Sequence, residues 1–327
     1  MPSSSGRRAV SFVACWAAAS LFAPSLHAQE QPQGFAVERL YPSAPGGGWL
    51  VMDDLRMHGG LGGVMALMVG YAHDSLRVTD GSTRIAVVSD QAFTDFGFAV
   101  TYDRWRLYLN LDAPLVTEGQ SGTVGAYQFT APAVSLGSNP DTVSDASIGA
   151  DGRLFGSDNS PLRLGAGAQL IVPNGNIAGG NRANYNTDAT YRAMGRLLAA
   201  GDVGRFTYAG QLGVHVRPLD DSPAPGSPQG SELLFGVAGG ARVFGECGKS
   251  ATFTVGSEIF GATAFRSFLM SNETSLEALV TARYERPADQ GPELRYKLGA
   301  GAGLSQHFGA PEWRLVFAVE LVDHTAH

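Results

Sequence analysis

The sequence predicts an all-β protein, a transmembrane antiparallel up-and-down β-barrel of about 12 strands, from three observations. A leading segment is built for export, apolar and polar side chains alternate in segment after segment, and no later run is long and apolar enough for a membrane helix. A chain that spans a membrane without helices must close into a barrel, because lipid offers no partner for an open strand edge.

Export comes first. Arg7 and Arg8 precede an apolar run from Ala9 to Phe22 that ends at Leu26-His27-Ala28. This is the pattern of a secretory signal peptide over residues 1–28, cut after Ala28, with Ala18 the other small residue at which it can end. Cys15 sits inside the apolar run with few apolar residues before it, which disfavours a lipoprotein anchor. Beyond the signal, Cys247 stands alone, so the mature chain has no internal disulfide and no thiolate set for redox or zinc chemistry. Lys and Arg total 23 against 30 Asp and Glu, and loss of Arg7 and Arg8 makes the mature chain more acidic still. A nucleic-acid partner is thereby disfavoured. With 43 glycines and only 16% charged residues, the chain is also too apolar for a disordered polymer.

Alternation is the decisive signal, since period two gives each face of a strand its own solvent. From Leu294 to Leu304 one parity reads Leu294, Tyr296, Leu298, Ala300, Ala302, Leu304, and the other Arg295, Lys297, Gly299, Gly301, Gly303. The same division sets Trp105, Leu107, Leu109 and Leu111 against Arg106, Tyr108, Asn110 and Asp112, and Trp313, Leu315, Phe317 and Val319 against Arg314, Ala318 and Glu320. Phe206–Arg217 and Leu276–Glu285 repeat it. Strands are expected at 60–75, 85–103, 104–117, 146–156, 161–173, 190–200, 203–217, 231–245, 250–263, 274–287, 292–307 and 311–322, making 60–322 the barrel and 323–327 a tail.

Connections alternate in length. Tight links are expected at Asp103, Gly156 to Ser160, Gly201-Asp202, Glu246 to Lys249 and Ala288 to Gly291, and long ones at 118–145, 174–189, 218–230 and 264–273. Short turns toward the periplasm and long loops outside are the asymmetry of a bacterial outer-membrane barrel, which sets the expected localisation. Tyr102, Trp105, Phe206, Tyr284 and Tyr296, all of lipid-facing parity near the short turns, form the expected aromatic girdle.

Gly34–Leu40, Gly70–Leu76 and Gly299–Leu304 resemble the N-terminal barrel region of OmpA-family outer-membrane proteins of the myxobacterial type. The resemblance implies a non-catalytic barrel. In that family a peptidoglycan-binding domain commonly follows, and no such domain follows the barrel in this sequence.

The lumen parity carries Arg106, Arg153, Arg163, Arg192, Arg196, Arg205, Arg217, Arg242, Arg283, Arg295, Lys297 and Arg314 against Asp95, Asp112, Asp151, Glu232, Glu258, Glu277, Glu285 and Glu320. These charges either pair across a closed interior or line water. Many lumen glycines argue for an open cross-section, and the modest cationic excess for a weak anion preference. Other constellations have simpler readings. Gly245–Ser250 ends like a phosphate loop, but Val243 replaces its first glycine and no helix follows, so it is a turn. His73-Asp74-Ser75 cannot form a triad, because consecutive strand residues point to opposite faces. His215 with Asp220 and Asp221 is expected to be a solvated rim histidine beside an acidic loop rather than the acid–base pair of a hydrolase.

Residues 29–59, with Gly46-Gly47-Gly48 and the apolar Trp49-Leu50-Val51-Met52, either plug the lumen or lie in the periplasm. The leading functional expectation is a non-enzymatic, cofactor-free and metal-free narrow channel for small polar solutes, with outer-membrane lipid and the membrane's assembly machinery as partners. A structural or surface-interaction barrel with a closed lumen is the alternative, and a barrel hydrolase a third.

Overall fold

The computed structural model describes residues 35–125, 127–132, 134–135, 145–173, 185–188, 190–218, 230–246, 250–270, 274–287, 291–305 and 309–324. The proposed signal peptide, Cys15, Cys247, Asp220 and Asp221 lie outside these. Twelve long strands form the wall: β1 (Leu61–Thr79), β2 (Arg84–Tyr102), β3 (Trp105–Glu118), β7 (Ala146–Phe155), β8 (Arg163–Val172), β9 (Arg192–Val203), β10 (Phe206–Val216), β11 (Glu232–Phe244), β12 (Thr252–Ala264), β13 (Thr274–Arg286), β14 (Glu293–Gly303) and β15 (Trp313–His324). Between β3 and β7, a small hairpin of β4 (Gly122–Val124) and β5 (Tyr127–Phe129) is followed by β6 (Val134–Ser135), which pairs with β3.

Each wall strand is antiparallel to its neighbours, and β1 pairs with β15 from Gly62↔His324 to His73↔Trp313. That seam closes the sheet and leaves the wall no edge, as a spanning sheet requires in lipid. Burial follows parity with the sense opposite to a water-soluble protein. In β14 Arg295 and Lys297 are buried while Tyr296, Leu298 and Ala300 are exposed. In β3 Arg106, Tyr108 and Asn110 are buried while Trp105, Leu107 and Leu109 are exposed. Exposed apolar side chains form the lipid face, and the charges turn inward.

The turns correct one expected link. Gly201 and Asp202 remain in the ladder, opposite Tyr208 and Thr207, and the chain reverses at Gly204-Arg205. Gly204 takes a left-handed φ of +62°, which glycine adopts without steric cost, so it outcompetes the Gly-Asp pair as the hairpin corner. Arg205, expected in the lumen, is therefore an exposed turn residue with its guanidinium over Phe206. At the other end β1 and β2 extend to a four-residue link at 80–83, longer than the sequence pattern indicates.

Residues 35–60 form neither helix nor strand and lie inside the wall. At the long-loop end Phe35 and Val37 pack with Leu76, Ile85, Val87, Val124, Phe129 and Tyr185. Midway, Trp49, Leu50, Val51 and Met52 share one cluster with Met68, Phe93, Phe260, Leu279 and Val316 of the wall. At the short-turn end Arg56 meets Asp202, and the chain turns into β1 through His58, Gly59 and Gly60, all with positive φ.

Leu298→Arg, at the middle of β14 on the lipid face, should destabilise the folded barrel by about 2–4 kcal/mol. Denaturant unfolding titrations in lipid vesicles measure this, and an unchanged midpoint would mean that this face does not meet acyl chains.

Candidate functional site: the occupied lumen

A chain segment without secondary structure brings its backbone N–H and C=O groups into the interior unpaired, and each must find a partner there. The inward charges of the wall supply them. The Glu258 carboxylate accepts the N–H groups of Leu50, Val51 and Met52 at 2.8, 2.8 and 3.0 Å. Lys297 donates to the carbonyls of Gly47 and Trp49, Arg283 to Gly48, Arg295 to Gly46 at 3.1 Å, and Arg163 through Nε to Asp54 at 2.8 Å.

Ion pairs add a second layer. Arg106 joins Asp53 of the segment and Asp151 of the wall. Arg283 reaches Asp54 at 3.5 Å, Arg56 reaches Asp202 at 2.7 Å, and Arg314 binds Glu277 at 2.6 Å and Glu38 at 2.8 Å. Wall pairs complete the set, with Lys297 on Glu320 at 2.7 Å, Arg196 on Asp151 at 3.3 Å and on the Tyr108 hydroxyl at 2.7 Å, and Arg192 on Asp145. Thus Arg106, Arg163, Arg192, Arg196, Glu258, Glu277, Arg283, Arg295, Lys297, Arg314 and Glu320 are all buried at the inner face, and the segment draws most of them together. Asp112 is half-buried there. Arg217 lies just past β10, buried between Asp188 and Glu232 at 2.7 and 2.6 Å. Of the girdle positions, Tyr102, Trp105, Phe206 and Tyr296 are exposed and Tyr284 half-buried, with Tyr284, Tyr296 and Phe317 stacked in a row.

Three expectations are corrected here. The lumen glycines do not leave an open bore, since several are recesses for segment side chains. A Cβ on Gly256 or Gly240 would lie 2.8 or 2.9 Å from the Trp49 indole, one on Gly165 2.8 Å from Leu55, and one on Gly97 2.6 Å from Pro45. The cationic excess of the wall is met by Glu38, Asp53 and Asp54 of the segment and by its carbonyls, which removes the basis for an anion preference. His215 is not a solvated rim group either. It is fully buried, with Nδ1 3.2 Å from the Tyr41 hydroxyl and 3.5 Å from Glu232, out of reach of an external substrate. His73 lies on Asp90 and stacks on Trp313; at the bulge in β1 Asp74 comes close to His73 and Glu312, while Ser75 is buried and takes no part in that cluster.

Sequence reasoning missed the site's other half, Asp53, Asp54, Tyr41 and Asp188, which gain meaning only from wall residues far along the chain. Asp188, in the connection before β9, illustrates the balance. Burial works against its charge, but Arg217, hydrogen-bonded to it, and Arg192 hold its carboxyl down at about 2. Toward the long-loop end the segment leaves a cavity of about 80 Å³, room for several waters, lined by Tyr41, Gln91, Asp95, Asn110, Asp112 and others.

Closed strand pairing, an apolar exterior and a charged interior together define a transmembrane β-barrel of the outer-membrane type with an internally folded N-terminal segment. Its fold is similar to that of an outer-membrane channel from Pseudomonas putida F1, with a TM-score of 0.55 and 13% identity over 82% of this chain and 98% of that one. Likeness to the NanC porin is lower, with a TM-score of 0.46 and 6% identity over 80% of this chain and 100% of that one. The chain matches no family model and no curated protein sequence.

Two measurements check the site. A carboxyl held below its unfolded value near 3.9 contributes stability above that pH and loses it as pH falls toward 2. Asp188→Asn should therefore flatten the acid dependence of thermal stability between about pH 4 and 2, a difference on the order of 2–3 kcal/mol. An unaltered pH profile would remove Asp188 from the acid response. Gly256→Val should drive Trp49 from its recess, seen as faster amide hydrogen exchange across residues 46–53, while exchange of the wall strands stays slow.

Proposed function

We propose that this protein is an outer-membrane channel for small polar solutes, exported by the signal peptide in residues 1–28 and held closed in the present conformation by residues 35–60. One observation carries the reading: the twelve-strand wall encloses a polar interior wide enough to hold an entire segment of irregular chain. The segment's place is the solute path. A wall of this size lies between small barrels filled by side chains and large porins with aqueous channels. The fold likeness to a protein named as an outer-membrane channel supports the same reading. The role is non-enzymatic, and the inward charges act as attachment points for the segment and, once it moves, as the polar lining that water wets.

A second reading is a structural or surface-interaction barrel whose lumen never opens. It is favoured by how fully the segment's backbone is bonded around Glu258, Lys297 and Arg283.

Planar-bilayer recording separates the two. Purified wild type should show rare stepwise openings. Glu258→Ala, which strips three backbone N–H groups of a charged acceptor, should raise the open probability by about tenfold or more, since each such bond contributes about 1.5–3 kcal/mol and 1.4 kcal/mol is tenfold. Silence from both proteins would refute the channel and leave the closed barrel.

A further inference from the structure

The lumen carboxylates differ in how they are satisfied. Asp53, Asp54, Asp145, Asp151, Glu232, Glu277, Glu285 and Glu320 each meet an arginine or lysine, and Glu258 accepts three backbone N–H groups. Asp95 and Asp112 are in no ion pair among the described residues. They are directly opposed across β2 and β3, where like charges repel. Asp95 accepts hydrogen bonds from the Asn110 amide, at 3.1 and 2.9 Å to its two oxygens, and its carboxyl is also within hydrogen-bonding reach of that of Asp112. Asp95 is buried and Asp112 half-buried. Arg192 also lines the cavity and acts on Asp112, but its guanidinium is bound to Asp145 and Asp188, so the carboxyl pair is costly unless a further positive charge sits beside it.

The same cavity presents further oxygens. Because the Asn110 Nδ2 faces Asp95, its carbonyl oxygen Oδ1 points elsewhere and has no partner, although Asn110 is only 7% exposed. Gln91, 3% exposed, gives its Nε2 to Asn186 at 3.0 Å and leaves Oε1 without a partner. Asp95, Asn110, Asp112 and Gln91 all line the cavity beside Tyr41, and no histidine, cysteine or methionine does. Two carboxylates and two orphan amide oxygens, with neither nitrogen nor sulfur donors, form a hard-cation ligand set. The mixture of carboxylate and amide oxygens in an irregular pocket suits calcium better than magnesium, which demands near-octahedral geometry and keeps its waters.

We propose that the cavity between residues 35–42 and strands β2 and β3 is a calcium-class cation site, with Asp95 and Asp112 as anionic ligands and the Asn110 and Gln91 carbonyls as neutral ones. The site would tie the β2–β3 wall to the upper part of the lumen segment, where Glu38, Leu40 and Tyr41 complete the cavity. It stands on the closed lumen and holds whether or not the barrel conducts, so its failure and that of the channel reading are separate results.

The test is calcium binding to the full-length folded protein in detergent, by isothermal titration calorimetry after chelator treatment, with thermal unfolding run alongside. The expected result is one saturable site per chain and a melting temperature that rises with calcium. Asp112→Asn and Asn110→Leu should each weaken binding by at least about tenfold. Asp112→Asn should also melt no lower than wild type in the absence of calcium, because it removes like-charge repulsion. Glu312→Gln, in the more exposed His73, Asp74 and Glu312 cluster, is the control and should bind as wild type does. Absence of calcium binding by the folded wild type overturns the site and leaves a carboxyl pair that shares a proton. Binding that survives both cavity substitutions, or that Glu312→Gln abolishes, overturns it equally.

Discussion

One constraint organises this molecule: a backbone polar group shielded from water must be bonded within the protein. In the wall the solution is periodic, since each strand completes its neighbour and the seam between β1 and β15 leaves no strand over. In the lumen no ladder is available, because the inner face of a closed sheet offers side chains and not backbone. Residues 35–60 therefore depend on charged groups of the wall for what a sheet would otherwise provide. Glu258 serves three consecutive N–H groups, and Lys297, Arg283, Arg295 and Arg163 serve the carbonyls of Gly46, Gly47, Gly48, Trp49 and Asp54. The inward charges of the barrel act as the segment's missing secondary structure.

The same residues set its electrostatics. Buried ion pairs contribute little net stability, because desolvation offsets most of the attraction, but removing one partner strands the other charge. Arg106 with Asp53, Arg283 with Asp54 and Arg314 with Glu38 thus fix where the segment lies more than how firmly the barrel folds. Removal of the segment becomes tolerable only if water replaces it, since a wetted lumen screens the exposed arginines. Closure and hydration are alternative ways of satisfying one set of charges.

The wall was legible in the sequence because its two solvents differ by one residue of phase. Arg295 and Lys297 between Tyr296 and Leu298 permit one arrangement, and the burial of β14 follows it. The turn near residue 202 was less legible, because Gly201-Asp202 carries turn residues as good as Gly204-Arg205 and only the pairing register distinguishes them. The site was half legible. Alternation marks Glu258 and Lys297 as inward, but nothing local to either shows that Leu50 and Gly47 will meet them from 208 and 250 residues away. The glycines misled for the same reason. Gly240 and Gly256 look like empty space along a strand and become a recess once Trp49 is placed against them. His215, polar and next to a loop, gives no local sign that Tyr41 covers it.

The segment is also joined to the seam that closes the wall. His58, Gly59 and Gly60 take three successive left-handed conformations, which reverse the chain from the lumen into β1, one of the two strands that form the seam. Its partner β15 carries Glu320, which holds Lys297 at 2.7 Å and accepts the Gly46 N–H at 3.3 Å. Covalent connection from one side and hydrogen bonds from the other therefore link the segment to both strands of the closing pair. A barrel that shuts first would have to thread the segment through a finished ring, whereas a sheet that curls around it forms the seam and seats the segment together. On this geometry the seam and the seated segment are coupled during folding through Glu320 and Lys297.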